Sequence, residues 1–432
     1  MIGWLARIAV FAPIAAFAWL GLARLLGRRA SERSLTRLVS LTFVTSVIAA
    51  LGLAGAMILE RRSSEVVPLG TWFSSGTHRV HLSLLVDGLS VPFLVLSSVL
   101  CGTVGAFATR YLHQDPGFHR FMALMLLFAG GIQLVTAAGG LDLAYIGWEL
   151  VGITSALLIA YYQNREAPVH HGLWAFGVYR ACDVGLLLAG LVAHARLGSG
   201  AYPVLYGAAP WPAGAPGLAG DTATLVAFLL LLSAMGKSAQ VPLSGWLPRA
   251  MEGPTPSSAI FYGALSVHAG CYILLRAAPL LDQQPGASAA LVVVGLVTAL
   301  YATVVGRAQT DIKSTIAYAT LTQLGIIFAE IGLGLRLIPL VHIMGHACLR
   351  ALQFLRAPSL LHERHQVEAA MGEHVTRTGA HLERHVPASA QLWLYRFALQ
   401  RGYLDALIMG WVVGPVLRAL AWLDRLERKW IG

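Results

Sequence analysis

Long apolar runs separated by short polar connections dominate the chain. At roughly 20 apolar residues per membrane crossing, they predict helices near 4–26, 36–59, 85–109, 119–138, 141–162, 172–195, 222–241, 257–281, 288–307, 312–334 and 336–360, with a last one over about 392–423. Two stretches interrupt the order. Residues 197–220 are rich in Gly, Pro and Ala, and Pro210, Pro212 and Pro216 would not continue a helix. Residues 362–388 hold His362, His365, His374, His381 and His385 among Glu and Arg. Their spacing is scattered rather than HxH or HExxH, so a solvated amphipathic connector is expected there and a metal site is not.

Composition turns this pattern into a class. With 56% hydrophobic residues, 12% charged residues and a mean hydropathy of +0.66, the 432-residue chain is expected to be a polytopic membrane protein. The first run is longer than the apolar core of a signal peptide and lacks a small-residue cleavage site, so it reads as a retained span. The net charge of +10 would suggest nucleic acid in a soluble protein. Here the arginines cluster between apolar runs, where topology and lipid headgroups account for them. Arg28, Arg29, Arg33, Arg37, Arg110, Arg120, Arg165, Arg249, Arg307, Lys313, Arg356 and Arg364 mostly fall on alternate connections, which places those inside and the N-terminus outside. Arg61, Arg62, Arg79 and Arg336 depart from the rule, and the side of the C-terminus stays open. The four cysteines lie in apolar segments without CxxC spacing and read as small buried hydrophobes.

Candidate chemistry lies in the few ionisable residues at membrane depth, where such groups are costly and usually functional. Lys237 precedes Gln240 and Pro242 in GKSAQVP. A proline there removes a donor and breaks the helix, which is tolerated only where freed carbonyls line a polar cavity or buried protein. A snorkelling lysine is the alternative. Glu149 lies about eight residues into its own helix and is the expected partner of Lys237. Two such charges about 4 Å apart interact by about 4 kcal/mol at an effective dielectric near 20, enough to make protonation follow opening and closing of the pair. Asp183 follows Arg180 by three residues, which fits either a role at the site or a local helix-face pair. His268 follows the break, with Tyr262 almost two turns earlier. His342, His346 and Arg350 recur at i, i+4 and i+8, a polar file that predicts a hydrated path rather than a structural seam. There is no GxGxxG, no Walker A run and no cysteine cluster, so no cofactor is expected in this chain and no redox site of its own.

Four segments carry a family resemblance. GKSAQVPLSGWLPRAMEGPTPSSAI resembles the signature of the antiporter-like subunits shared by respiratory complex I and the multisubunit cation/proton antiporters. DIKSTIAYATLTQLGIIF and HIMGHACLRALQFL are similar to later helices of the same family, and WELVGITSALLIAYY to its glutamate helix. The likeness covers roughly residues 80–360 and is closest to the chain-5 or L-type subunit. It implies an all-α transmembrane bundle of about 12 helices. Residues 1–79 would be N-terminal spans, 80–282 a first repeat with a broken helix, 283–361 part of a second, inverted repeat, 362–390 the histidine-rich connector and 391–432 a C-terminal helix.

The resemblance further implies a proton path through Glu149, Asp183, Lys237, His268, Lys313, His342, His346 and Arg350. Tyr262 stands where the family usually has histidine, and Arg350 where it has a titratable lysine. Arginine keeps its proton, so it can gate the path but is a poor carrier. The second broken helix and its exit-side charge have no counterpart in the sequence, which leaves the outlet to another subunit, a rearranged route or impaired conduction. The implied function is proton translocation in a complex I-like assembly. Its partners would be other membrane and cytoplasmic subunits, the bilayer and H⁺ or Na⁺, and its place a bacterial-type cytoplasmic membrane. Two alternatives stand beside it: a proton-motive-force-coupling subunit of an inorganic-carbon accumulating complex with a zinc carbonic-anhydrase-like partner, and a scaffold without flux.

Overall fold

Twelve helices among the described residues are long and apolar enough to cross a membrane. The structure, a computed structural model, describes residues 1–28, 30–76, 78–371 and 386–431. Helix α1 spans Ile2–Leu25 and α2 spans Glu32–Leu59; α2 starts where the Ser31 hydroxyl accepts the Ser34 N–H at 3.2 Å. Then come α3 (Ser90–Tyr111), α4 (Phe118–Ala137), α5 (Leu141–Ile159), α6 (Glu166–Leu197) and α7 (Gly220–Lys237). The chain continues through short turns of helix to α8 (Thr255–Arg276), α9 (Pro285–Gly306), α10 (Ile312–Gly332) and α11 (Leu337–Met371).

The all-α architecture carries one addition that the apolar pattern did not reveal. Strands β1 (Ser64–Ser75) and β2 (His78–Asp87) form an antiparallel hairpin from Ser64↔Asp87 to Ser75↔His78. The expected span over 85–109 therefore begins later, at Ser90. The Asp87 carboxylate ends the strand and accepts the N–H groups of Leu89 (3.1 Å) and Ser90 (2.9 Å), starting α3. At Gly139 the hairpin meets the α4–α5 connection: its N–H donates to the Ser83 carbonyl at 2.8 Å, an approach that a side chain would block. Gly140 in turn bridges Ala201, so hairpin and the 198–220 loop form one cap over one end of the bundle.

Under that cap Asp87 and Arg276 form a buried bidentate pair, with Arg276 Nη2 to Asp87 Oδ1 at 3.0 Å. Burial alone would raise the Asp87 pKa. The Arg276 guanidinium, helped by the N–H groups of Ser90 and Leu89, outweighs this and holds the carboxyl below its usual range. The pair's stability is therefore fully present above the unfolded-state value of about 3.9 and is lost as pH falls through the lower folded value. Asp87→Asn should lower stability by about 3–5 kcal/mol near neutral pH. It should also remove this component of acid sensitivity, both read by thermal unfolding in detergent as pH is lowered.

Helix α8 is entirely enclosed by protein. A wide π turn over Ser258–Ala264 interrupts it, where Leu265 N–H reaches back five residues to Ile260 O and Ser266 N–H to Phe261 O. Helices α9 and α10 touch through small residues: a Cβ at Gly295 would lie 2.7 Å from Ala329 N, and one at Gly325 the same distance from Ala299 N. Such close backbones are how helices associate where lipid removes the hydrophobic driving force.

At the C-terminal end, two expectations change. The connector expected from residue 362 begins as a continuation of α11 to Met371, while His374, His381 and His385 lie outside the described residues. The single helix expected over 392–423 is two: α12 (Ala388–Leu399) and a helical segment from Leu404, separated by Arg401, Gly402 and Tyr403, all with left-handed backbone. Asp405, just past this corner, takes both arms of Arg249 at 3.0 and 2.7 Å, and Tyr301 OH donates to Arg401 O at 3.0 Å. Asp405→Asn should leave Arg249 half-paired and speed limited proteolysis between residues 386 and 404, while the core remains protected. Cys101, Cys182 and Cys271 are buried as expected, whereas Cys348 lies on the exposed side of α11.

Candidate functional site

Lys237 ends α7, where the chain leaves helical geometry and Ala239 adopts φ 53°. Its side chain is wholly enclosed, so snorkelling to an interface is excluded by position. The ammonium donates to the Trp148 carbonyl at 3.2 Å and lies 4.8 and 4.5 Å from the ring centres of Trp148 and Tyr179. Two aromatic faces and a carbonyl replace water around the cation. The Asp183 carboxylate, 3.9 Å away, supplies the counter-charge and is itself held by Trp148 Nε1.

The expected direct Glu149–Lys237 pair is not what the structure forms. Glu149 is the residue after Trp148, and this one-position rotation along α5 turns it toward α6, where it pairs with Arg180. Arg180 Nη2 also donates to Asp183 at 2.8 Å. Glu149, Arg180, Asp183 and Lys237 thus form one alternating row of two acids and two bases. Arg180 has two charged partners, which is why the local-pair reading of Arg180 and Asp183 and the site reading are both expressed. Glu149 Oε1 and Arg180 Nε are buried without a hydrogen-bond partner among the described residues. A row with spare donors and acceptors can re-pair at less cost than one fully satisfied.

The second polar group surrounds the α8–α11 contact. Arg350 Nε donates to His346 Nε2 at 3.0 Å, and His346 Nδ1 lies 3.0 Å from His268 Nε2. His268 Nδ1 faces the Ala264 carbonyl, one of those freed around the π turn. Since Arg350 can only donate, the pattern assigns protons to His346 Nδ1 and His268 Nδ1 and makes the line directional. His342 is beside this line, its ring centre 6.1 Å from that of His346. It bonds Glu330 at 2.9 Å and Gln323 at 3.0 Å. Glu330 and Gln323 were missed by sequence reasoning, although a glutamate near the end of an apolar helix was the available signal. Tyr262, where histidine was expected, donates to Ser155 O at 2.9 Å and takes no part in the line.

Lys313 is placed apart from both groups. It sits in the first turn of α10, behind the Asp311 cap, and reaches the Gly253 carbonyl at 3.4 Å. Glu252 next to it faces His171 at 3.7 Å and Arg165 at 3.9 Å. This is the end of the bundle opposite the hairpin cap. Of the eight sequence-selected residues, the structure brings together Glu149, Asp183 and Lys237 in one group and His268, His342, His346 and Arg350 in another. No cluster of three or more metal-ligating side chains occurs among the described residues.

An enclosed lysine at a helix break, a row of paired charges and a line of histidines define a membrane protein with two polar groups buried inside its helix bundle. Comparison with known proteins places it. Residues 138–400, more than half the chain, match the family described as NADH:quinone oxidoreductase/Mrp antiporter, transmembrane. Residues 72–122 match the N-terminus of complex I chain 5. The chain belongs to this family. Similar proteins include NADH-ubiquinone oxidoreductase chain 5 of Metridium senile, 36% identical over 300 residues, which cover 69% of this chain and 49% of that one. NADH-quinone oxidoreductase subunit L of Mycobacterium tuberculosis is 34% identical, covering 68% and 46%. The probable inorganic carbon transporter subunit DabB1 of Halothiobacillus neapolitanus is 34% identical over 340 residues, covering 78% and 58%. Among solved structures, the Mrp complex from Dietzia sp. DQ12-45-1b superposes with a TM-score of 0.65 and 26% identity, over 80% of this chain and 37% of that one. The chain spans about half the length of the curated relatives it matches.

Proposed function

We propose that this chain moves protons across a bacterial-type cytoplasmic membrane as one subunit of a complex I-like assembly whose other subunits hold the driving chemistry. The observation that carries the reading is the enclosed Lys237, caged by Trp148 and Tyr179 and joined to Glu149 through Asp183 and Arg180. A packing role alone would favour apolar residues of similar volume, because a buried charge pair seldom repays its desolvation. In this reading the row alternates between two pairings. When Arg180 holds Asp183, Lys237 is free to release its proton; when Asp183 turns to Lys237, the proton is retained. The histidine line carries protons between this row and Arg350, which acts as a fixed positive gate. Lys313, near Glu252 and the basic connections, stands at the inner mouth. The direct test is proton uptake by proteoliposomes containing the purified assembly, comparing the intact protein with Lys237→Ala under an imposed potential.

A second reading is supported by the likeness to an inorganic-carbon transporter subunit over more than three quarters of the chain. There the same proton movement would drive carbon accumulation by a zinc-bearing partner. Mass spectrometry of the purified assembly separates the readings: flavin and iron–sulfur subunits favour the first, a zinc protein the second, and neither favours a scaffold.

A further inference from the structure

Helix α8 carries a second polar file of its own. His268, Tyr272 and Arg276 follow at i, i+4 and i+8, and neighbours at that spacing lie about 5–6 Å apart on one face. The first meets the histidine line at His346, 3.0 Å away. The last meets Asp87 beneath the hairpin cap. Between them Tyr272 accepts from Arg276 Nη2 at 3.0 Å and donates to the Thr136 carbonyl. All three residues are buried, and α8 is enclosed by protein throughout, so lipid does not explain the file.

The file ends in a chamber. A cavity of about 120 Å3 is lined by Asp87, Arg276, Tyr202, Tyr206, Trp211 and Ser64. Three buried polar atoms at its wall, Tyr202 OH, Tyr206 OH and Arg276 Nε, have no hydrogen-bond partner among the described residues. A space of this size with convergent unpaired donors suits several water molecules. Asp87 and Trp211 also line a wider groove of about 540 Å3, open to the surface beside Arg61 and Arg62. Asp87 and Trp211 thus stand between this partly open chamber, at which Arg276 ends the file, and the outer groove, at the end the arginine distribution assigns to outside.

We propose that this file is the outer half of the proton route, running from His268 through Tyr272 to the chamber bounded by Asp87, Tyr202 and Tyr206, so that the outlet lies within the first repeat. This rests on the proton-moving function proposed above. Tyr272 is the link. Its hydroxyl is engaged by Thr136 and Arg276 when the route is closed. When it turns toward His268 with an intervening water, it accepts a proton on its oxygen and gives up its own to a water beside Arg276, the residue that reaches the chamber, returning unchanged. Arg276 positions Tyr272 and holds the Asp87 wall.

Two measurements on the intact assembly in proteoliposomes test this. In a Cys348→Ser background, Tyr206→Cys should react with a membrane-impermeant methanethiosulfonate from the hairpin side only. Tyr272→Phe should reduce proton flux about tenfold or more, while Tyr272→His, which restores a group able to take and give a proton, should recover most of it; a merely structural tyrosine would not show that recovery. Failure of Tyr206→Cys to react from outside, or wild-type flux in Tyr272→Phe beside an inactive Lys237→Ala, overturns the outlet and leaves the central site standing. Wild-type flux in Lys237→Ala overturns the proton-moving reading itself, and the route with it.

Discussion

Lys237→Ala is expected to reduce proton flux at least about a hundredfold, the scale at which a positioned proton carrier acts, with the assembly still forming. Assembly survives because Asp183 keeps two partners when the lysine is lost, Arg180 at 2.8 Å and the indole N–H of Trp148. Asp183→Asn is the opposite case. It leaves Lys237 enclosed with no adjacent carboxylate and Arg180 with only Glu149, and removing one member of a buried pair costs about 3–5 kcal/mol. Asp183→Asn should therefore reduce the amount of assembled protein, while Lys237→Ala should reduce turnover of protein that is present. Glu149→Gln should fall between, greatly slowing flux without loss of assembly, since it removes the far end of the row. The Lys237→Ala/Glu149→Gln double variant should be no slower than Lys237→Ala, because groups acting as a unit are not additive. Multiplying defects in the double variant would show two independent sites.

His346→Leu is expected to interrupt flux to a similar degree, and Arg350→Lys to preserve or increase it. In the line Arg350–His346–His268 the guanidinium donates to the nitrogen that His346 would need to accept a proton from its own side. Arginine cannot give up its proton, so it keeps His346 in one tautomer. Lysine has the same charge without the fixed fork of donors, and it can swing away or deprotonate. Leucine at 346 separates His268 from Arg350 with an apolar side chain that no proton crosses. Flux measured for both variants beside the parent decides the matter: normal flux in His346→Leu would make the line a structural seam.

Most of the transmembrane architecture was legible because the bilayer imposes length and hydropathy on each span directly. The broken helix was legible for the same reason, since Lys237 and Pro242 violate that pattern together. The hairpin was not: the 78–87 segment is as apolar as a helix end, and its alternation is short. The partner of Glu149 was out of reach because one step along α5 decides whether a side chain faces α6 or α7, and no spacing within a single helix reports on that rotation. Arg180 was visible in the sequence only as a neighbour of Asp183. Glu330 and the Arg276 pair lay at helix ends, where charged residues are ordinary. The corner at Arg401–Tyr403 depends on its fit against Tyr301 and Arg249, contacts between segments 100 and 156 residues apart.

The wide turn over Ser258–Ala264 acts as a phase setting for everything that follows it in α8. Each residue of an α-helix advances the face by about 100°, so the extra residue accommodated there decides which way His268, Tyr272 and Arg276 point. Removing a single residue from that turn would swing all three away together, parting His268 from His346 at one end and Arg276 from Asp87 at the other. A change that small in the chain would disconnect the axis at both ends without altering the composition of either site.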